Sequence, residues 1–332
     1  MTTQLVLLDA DDLTHPNTGE ENYNESAYYN FYDPGRRLGG FARIGNRPNE
    51  RHAEMTLCLY LPDGRVAFMF ARPEIADNAR FDAAGMRFEV RTPMREHRVR
   101  YDGPAVLLSR PLDLVDPKRA FSENPQRAVE VDLVYEGVSP AYGGEPRERR
   151  EGSWVSVRHE RAGHEFARGH LEQHGRARGR VVVDGVYHPI DGFGLRDRSW
   201  GPRYWQAPAY YRWLTMNFGP DHGLVGALTV QRDGTEMHGG YVFRRDEPNR
   251  PIGRVEVETE YAAPEKLHAR LRARLHPADG APAEEIEGRV LNMVPLRNRR
   301  GGVTTRIAEG LTEWRWGERV GYGWSEYLDH LD

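Results

Sequence analysis

Apolar and polar residues alternate with a period of two along most of this chain. The clearest stretch is 254–275, where Val255, Val257, Thr259 and Tyr261 alternate with Glu256, Glu258 and Glu260. After a short break, Leu267, Ala269, Leu271, Ala273 and Leu275 alternate with Lys266, His268, Arg270, Arg272 and Arg274. Successive side chains of a strand point to opposite faces, so each run predicts a half-buried strand. An acidic outer face beside a basic one predicts that the two pair antiparallel, each exposed pair adding a few tenths of a kcal/mol.

The same period recurs at 54–61 and 65–71, joined through Pro62-Asp63-Gly64, and at 86–91, 95–101 and 128–136. Residues 164–174 alternate, with His164, Phe166, Arg168, His170, Glu172 and His174 on one side. Strands at 178–184 and 186–190 turn at Asp184-Gly185, and those at 210–218, 223–231 and 237–244 follow, the last two joined at Asp233-Gly234. Runs at 285–294, 303–316 and 320–328 close the series. About seventeen short strands with Asp-Gly turns predict an all-β protein of two packed β-barrel or β-sandwich domains. The expected division is 1–190 and 191–332.

Three segments break the pattern. Residues 14–40 read as irregular, yet 22–33 holds Tyr23, Tyr28, Tyr29, Phe31 and Tyr32. So many aromatics must pack, either as a strap over a sheet or as a lid on a pocket. Tyr28, Tyr29, Phe31 and Tyr32 are expected against the pocket or the seam between domains. Residues 109–127, with three prolines, read as a loop or short helix, and 137–152 as an exposed loop.

The densest chemistry lies at 191–203, Asp-Gly-Phe-Gly-Leu-Arg-Asp-Arg-Ser-Trp-Gly-Pro-Arg. Its glycines and proline suggest a corner that presents one carboxylate beside an aromatic surface. Asp197 is then either a buried counter-ion to Arg196, Arg198 or Arg203, or a proton donor or acceptor facing a pocket. Neighbouring arginines lower a carboxyl pKa and burial raises it, so residue types alone leave both open.

Composition narrows the classes. Basic and acidic residues number 46 and 50, for a net charge of −4, and no long basic block occurs, which argues against a nucleic-acid partner. Cys58 is the only cysteine, which excludes intrachain disulfides and cysteine-rich metal sites. The apolar run at 5–8 is too short for a signal peptide and no run reaches membrane-spanning length, so a cytoplasmic location without membrane insertion is expected.

Residues 194–200, Gly-Leu-Arg-Asp-Arg-Ser-Trp, resemble the Gly-x-x-Asp-Arg-x-Trp segment of the two-domain lipocalin-like superfamily of hydroxyneurosporene synthase (the carotenoid hydratase), tocopherol cyclase and the fungal Diels–Alderases. Residues 321–327, Gly-Tyr-Gly-Trp-Ser-Glu-Tyr, are similar to its closing strand. Leu195 and Ser199 depart from many members, and uncharacterised bacterial members match best. The resemblance implies two lipocalin-like domains and a hydrophobic small-molecule substrate of terpenoid, steroid or polyene type, converted without a cofactor. Hydration, isomerisation or cyclisation would begin with proton transfer, with Asp197 as donor or acceptor; His170, one or two strands earlier in the chain, is a candidate partner by position. Trp200, Trp205, Tyr210, Tyr211 and Trp213 would form aromatic walls, joined by Tyr29, Arg196 and Glu326 as substrate-binding residues.

Two rivals follow from the same residues. A lipocalin-like barrel also suits a non-catalytic carrier of hydrophobic ligands. His170, Glu172 and His174 share a strand face and offer a metal-dependent alternative. Alternate strand residues spread these two histidines roughly 13 Å apart, so no metal is expected.

Overall fold

The computed structural model describes residues 3–157 and 166–331. Its first ring of strands comprises β1 (Tyr23–Asp33), β2 (Leu38–Arg47), β3 (His52–Tyr60), β4 (Val66–Ala71), β5 (Glu96–Leu108), β6 (Gln126–Gly137), β7 (Gly169–Val183) and β8 (Val186–Pro202). Each pairs antiparallel with the next, and β8 returns to β1. The second ring comprises β9 (Pro208–Asn217), β10 (His222–Gln231), β11 (Glu236–Arg244), β12 (Arg250–Ala262), β13 (Leu267–Pro277), β14 (Glu284–Arg300), β15 (Val303–Trp316) and β16 (Arg319–His330), also closed. The result is two up-and-down β-barrels, the first extended by five further strands, the all-β architecture that the strand pattern predicts.

The expected turns hold where alternation was clean. Val183 pairs with Val186 across Asp184-Gly185. Glu256, Glu258 and Glu260 face Arg274, Arg272 and Arg270 across β12 and β13. Among the described residues no helix is long and apolar enough to cross a membrane.

Segments 14–40, 137–152 and 191–203 differ from expectation. β1 is a fully buried strand: Tyr29 and Phe31 enter the first barrel's core, while Tyr28 and Tyr32 join a cluster outside it. A strand buried on both faces shows no polar alternation, which is why it reads as irregular. The stretch expected as an exposed loop contains the strand Tyr142–Arg150, which pairs with β7, Gln4–Val6 and Ser153–Ser156. His164 lies outside the described residues, and β7 itself begins at Gly169.

The expected corner at 191–203 is the unbroken second half of β8. Its glycines serve close packing: a Cβ on Gly194 would stand 1.9 Å from the Asn30 carbonyl oxygen on β1. The division at 190/191 thus falls inside a strand of the first ring. The chain leaves that ring at Pro202 and enters the second at Pro208.

Side chains fill the first barrel. Tyr29, Phe31, Leu57, Val131 and Tyr135 line a void of about 10 Å³, room for one water at most. The outer face of β7, β8, β1, β2 and β3 packs on the outside of the second barrel. Tyr28, Phe41, Cys58, Tyr60 and Phe68 from one side meet Val294, Leu311 and Trp324 from the other. Tyr60 also donates to the Glu309 carbonyl across this seam at 2.8 Å. A continuous apolar seam of this kind holds the barrels as one body.

Candidate functional site at the seam

Alternation along β8 separates the Arg-Asp-Arg triplet. Arg196 and Arg198 point into the first barrel and Asp197 points out to the seam. Arg196 Nη1 donates to Asp12 at 2.6 Å, and its Nε to Gln173 at 2.8 Å. Arg198 Nη2 donates to Glu25 at 2.5 Å and to the Leu13 carbonyl at 2.8 Å. Asp12 also contacts His97 Nε2 at 2.9 Å and accepts from the Met94 amide at 2.6 Å. The two arginines therefore pin the segment 9–13 to the first barrel, with Asp11 and Asp12 buried and Asp9, Ala10 and Leu13 exposed. They are not the counter-ions of Asp197.

Asp197 lies in a direct cross-strand row, Glu172–Asp197–Tyr28–Arg43–Thr56. Facing it on the second barrel is the row Trp213–Glu326–Glu309–Val294. Trp213 joins the two, donating from Nε1 to Glu172 at 2.5 Å and meeting Tyr28 edge-on at 5.5 Å. His170, one step along β7, forms an ion pair with Asp197 and lies 3.8 Å from Glu172. Tyr211 donates its hydroxyl hydrogen to Glu326. Trp205 lies beneath the guanidinium groups of both Arg203, at 5.0 Å, and Arg43, at 5.6 Å.

The four seam carboxyls differ in charge because their neighbours differ. Burial raises the Asp197 carboxyl, but His170, Arg203 and Arg43 together hold it below its ordinary value. Partial burial works against a charged His170, yet Asp197 and Glu172 lift it to about 9. Its imidazole is still 44% exposed, so solvent reaches the pair. Burial raises Glu326 to about 8 against the opposing Arg203, and Glu309 to about 8 against Arg43. Burial likewise raises Glu172. At neutral pH the site thus holds an ionised Asp197 beside a charged His170, opposite neutral Glu326 and Glu309.

The expected site residues divide by strand face. Asp197, His170, Trp205, Tyr211, Trp213 and Glu326 gather at the seam. Tyr29 is inside the first barrel against Phe88 and Tyr135. Arg196 and Trp200 share that inner face, Trp200 stacking on His15 at 4.2 Å. Tyr210 turns to the inner side of the second barrel, where Arg212 lies over it and Tyr327. Tyr28, Arg43 and Glu309 complete the seam rows. Of the aromatics expected at the pocket or seam, Tyr28 and Tyr32 lie there while Tyr29 and Phe31 enter the first barrel's core; Arg43 and Glu309 carried no motif.

The metal alternative changes composition. His174 turns away, bonding Asn217 through Nδ1 at 2.7 Å and packing on Phe243. Among the described residues, His170, Glu172 and Asp197 instead converge, each offering one ligand atom within 4.8 Å of the others. One imidazole and two carboxylates, already engaged with each other and with Trp213, suit proton transfer as well as a cation. A separate groove of about 590 Å³ lies on the second barrel among Glu258, Glu260, Arg270, Arg272, Glu287 and Arg289, apart from this site.

Comparison with known proteins supports the architecture. A family profile described as "Domain of unknown function (DUF7064)" matches residues 8–331. No curated protein matches the chain. Among solved structures, an AttH-like protein from Nitrosomonas europaea is similar at 14% identity and TM-score 0.58, covering 98% of this chain and 96% of that one. Kievitone hydratase from Nectria haematococca is similar at 10% identity and TM-score 0.60, covering 95% and 93%. CghA with Sch210972 is similar at 13% identity and TM-score 0.51, covering 92% and 88%. At these identities the likeness is one of fold, and it is the two-domain lipocalin-like fold to which residues 194–200 pointed.

Proposed function

The chain belongs to the DUF7064 family, and from that premise we propose that it is a cofactor-free acid–base enzyme acting on a hydrophobic small molecule at the seam between its barrels. One arrangement carries the reading: the Asp197–His170 ion pair faces the buried Glu326 carboxyl, which burial raises to about 8, across aromatic walls. Two titratable groups whose environments push their pKa values apart form a natural acid and base.

Hydration, the activity in the name of one structural neighbour, would use both if it acted on a C=C bond. Glu326 gives its proton to one carbon, and the cation that develops on the other is sheltered by Trp213, Tyr28 and Trp205. Water adds to that carbon and passes a proton to Asp197, whose negative charge His170 balances. Isomerisation needs the same two groups without the water. Asp197 is the acceptor in this reading because its low pKa makes it a poor donor to carbon.

A carrier finds no room inside the first barrel and would have to use the groove of about 590 Å³ on the second barrel, away from Asp197. The test is conversion of a panel of polyenes and α,β-unsaturated ketones in D₂O, followed by mass spectrometry. Wild type should place deuterium on carbon, and Glu326→Gln and Asp197→Asn should each slow this by a factor of ~100 or more. Ligand that is retained unchanged by wild type would favour the carrier. Two variants as active as wild type would remove both residues from the chemistry.

A further inference from the structure

Beside the Asp197 row, the outer face of β8, β1 and β2 carries a second row of Ser199, Ser26 and Gly45. Asn24 follows on β1, opposite Gly201. Asn24, Ser26 and Ser199 are each 1% exposed. Nevertheless, among the described residues, Asn24 Nδ2 and Oδ1, Ser26 Oγ and Ser199 Oγ have no hydrogen-bond partner, and neither has the buried Arg43 Nη2. Folded proteins pair nearly all such groups, so a cluster of unpaired ones calls for a ligand. A Cβ on Gly45 would stand 2.7 Å from Arg43 Nη2 and 2.8 Å from Asn24 Oδ1. These groups therefore meet over a bare stretch of strand.

The cluster is rich in donors and positive charge. Two hydroxyls, an amide and a guanidinium supply hydrogens, against one obligate acceptor on Asn24. Glu54 is shared among Arg72 at 3.2 Å, Arg47 at 3.3 Å and Arg43 at 3.8 Å. Asp197 is engaged by His170. Arg203 shares the Trp205 face with Arg43 and makes no salt bridge among the described residues. Guanidinium and hydroxyl donors in a largely buried setting favour an anionic oxygen over a neutral one.

We propose that Asn24, Ser26, Ser199 and Arg43, with Arg203, form an oxyanion-binding subsite that holds a carboxylate carried by the substrate beside Asp197 and His170. The substrate is then an amphipathic acid, with its acidic end on β1, β2 and β8 and its apolar body toward Trp213, and not a plain hydrocarbon. This rests on the seam being the reaction site.

The test uses the full-length protein and a matched pair of probes, 1-naphthoate and the neutral 1-naphthamide, titrated by calorimetry. Wild type should bind the naphthoate at least about ten-fold more tightly, as expected for charge-assisted bonds. Arg203→Gln should bring the two within about two-fold, and the surface variant Arg319→Gln should preserve the difference. Should Arg203→Gln fold poorly, the double variant Ser26→Ala/Ser199→Ala, which removes only unpaired hydroxyls, should still weaken naphthoate selectively. Equal binding of the two probes, binding of neither, or a preference that survives in every seam variant would overturn the proposal and leave the cluster to ordered water. Asp197→Asn should keep the preference. A neutral substrate whose turnover Asp197→Asn abolishes would remove this subsite while leaving the acid–base reading intact.

Discussion

Arg196 and Asp197 are neighbours in sequence but face opposite sides of the first barrel's wall. Arg196 reaches inward to Asp12 at 2.6 Å, and Asp197 reaches outward to His170. One strand thus holds a structural lock and a chemical group back to back. The Arg-Asp-Arg triplet joins the segment 9–13 to the seam without either arginine neutralising the central carboxylate.

The two residues should respond differently to substitution. Arg196→Met leaves the buried Asp12 with only His97 and the Met94 amide and should cost ~3 kcal/mol or more, because the interior carboxylate loses its guanidinium partner. Asp197→Asn breaks a pair whose imidazole is 44% exposed, and should cost ~1 kcal/mol or less. Urea unfolding of both variants measures this. A larger loss for Asp197→Asn than for Arg196→Met would make Asp197 the structural lock.

The charge on His170 should depend on Asp197. Its pKa is raised from 6.5 to about 9, so its contribution to stability is complete below 6.5 and is lost as pH rises through 9. In NMR titration the His170 ring should stay protonated at pH 7.5 in wild type. In Asp197→Asn its midpoint should drop toward or below 6.5, since burial then acts against the charge with less opposition. An unchanged midpoint would mean that the two side chains are not paired in solution.

Glu326 should make the protein less stable as pH rises. Its folded value of about 8 lies above the ordinary 4.5, so between these values the native state holds a proton that the unfolded chain has released. Stability attributable to this group therefore falls from about pH 4.5 to about pH 8 and is level above. Glu326→Gln removes that slope. Its stability relative to wild type should increase across this range in denaturation experiments, whereas a constant difference would place Glu326 in contact with solvent.

Much of the scaffold was legible wherever one strand face is wet. The acidic and basic faces of β12 and β13 paired as their alternation implied, and Asp184-Gly185 and Asp233-Gly234 marked hairpins, whereas Asp102-Gly103, also read as a turn, lies within β5. β1 was illegible because the barrel core buries Tyr29 and Phe31 while the seam buries Tyr28 and Tyr32. The segment 191–203 suggested a corner because its glycines were read as conformational, when Gly194 serves the close approach of β1. That reading also hid which aromatics accompany Asp197. As a strand, the segment sends Trp200 to the face opposite Asp197. Asp197, His170 and Glu326 could be singled out by residue type, but Arg43 and Glu309 reach the site only through cross-strand register and the packing of one barrel on another, which a single sequence does not encode locally.

The most direct test of the central claim is the protonation state of the facing carboxyls, read by infrared difference spectroscopy as pH is stepped across neutrality. The carbonyl stretch of a protonated carboxyl should be present at pH 7 and vanish as pH passes about 8. Part of that band should be missing in Glu326→Gln, while Asp197→Asn should leave its pH 7 intensity unchanged. A wild-type spectrum at pH 7 with no protonated carboxyl, or a band that disappears with Asp197→Asn and persists in Glu326→Gln, would contradict the assignment of acid and base on which this account stands.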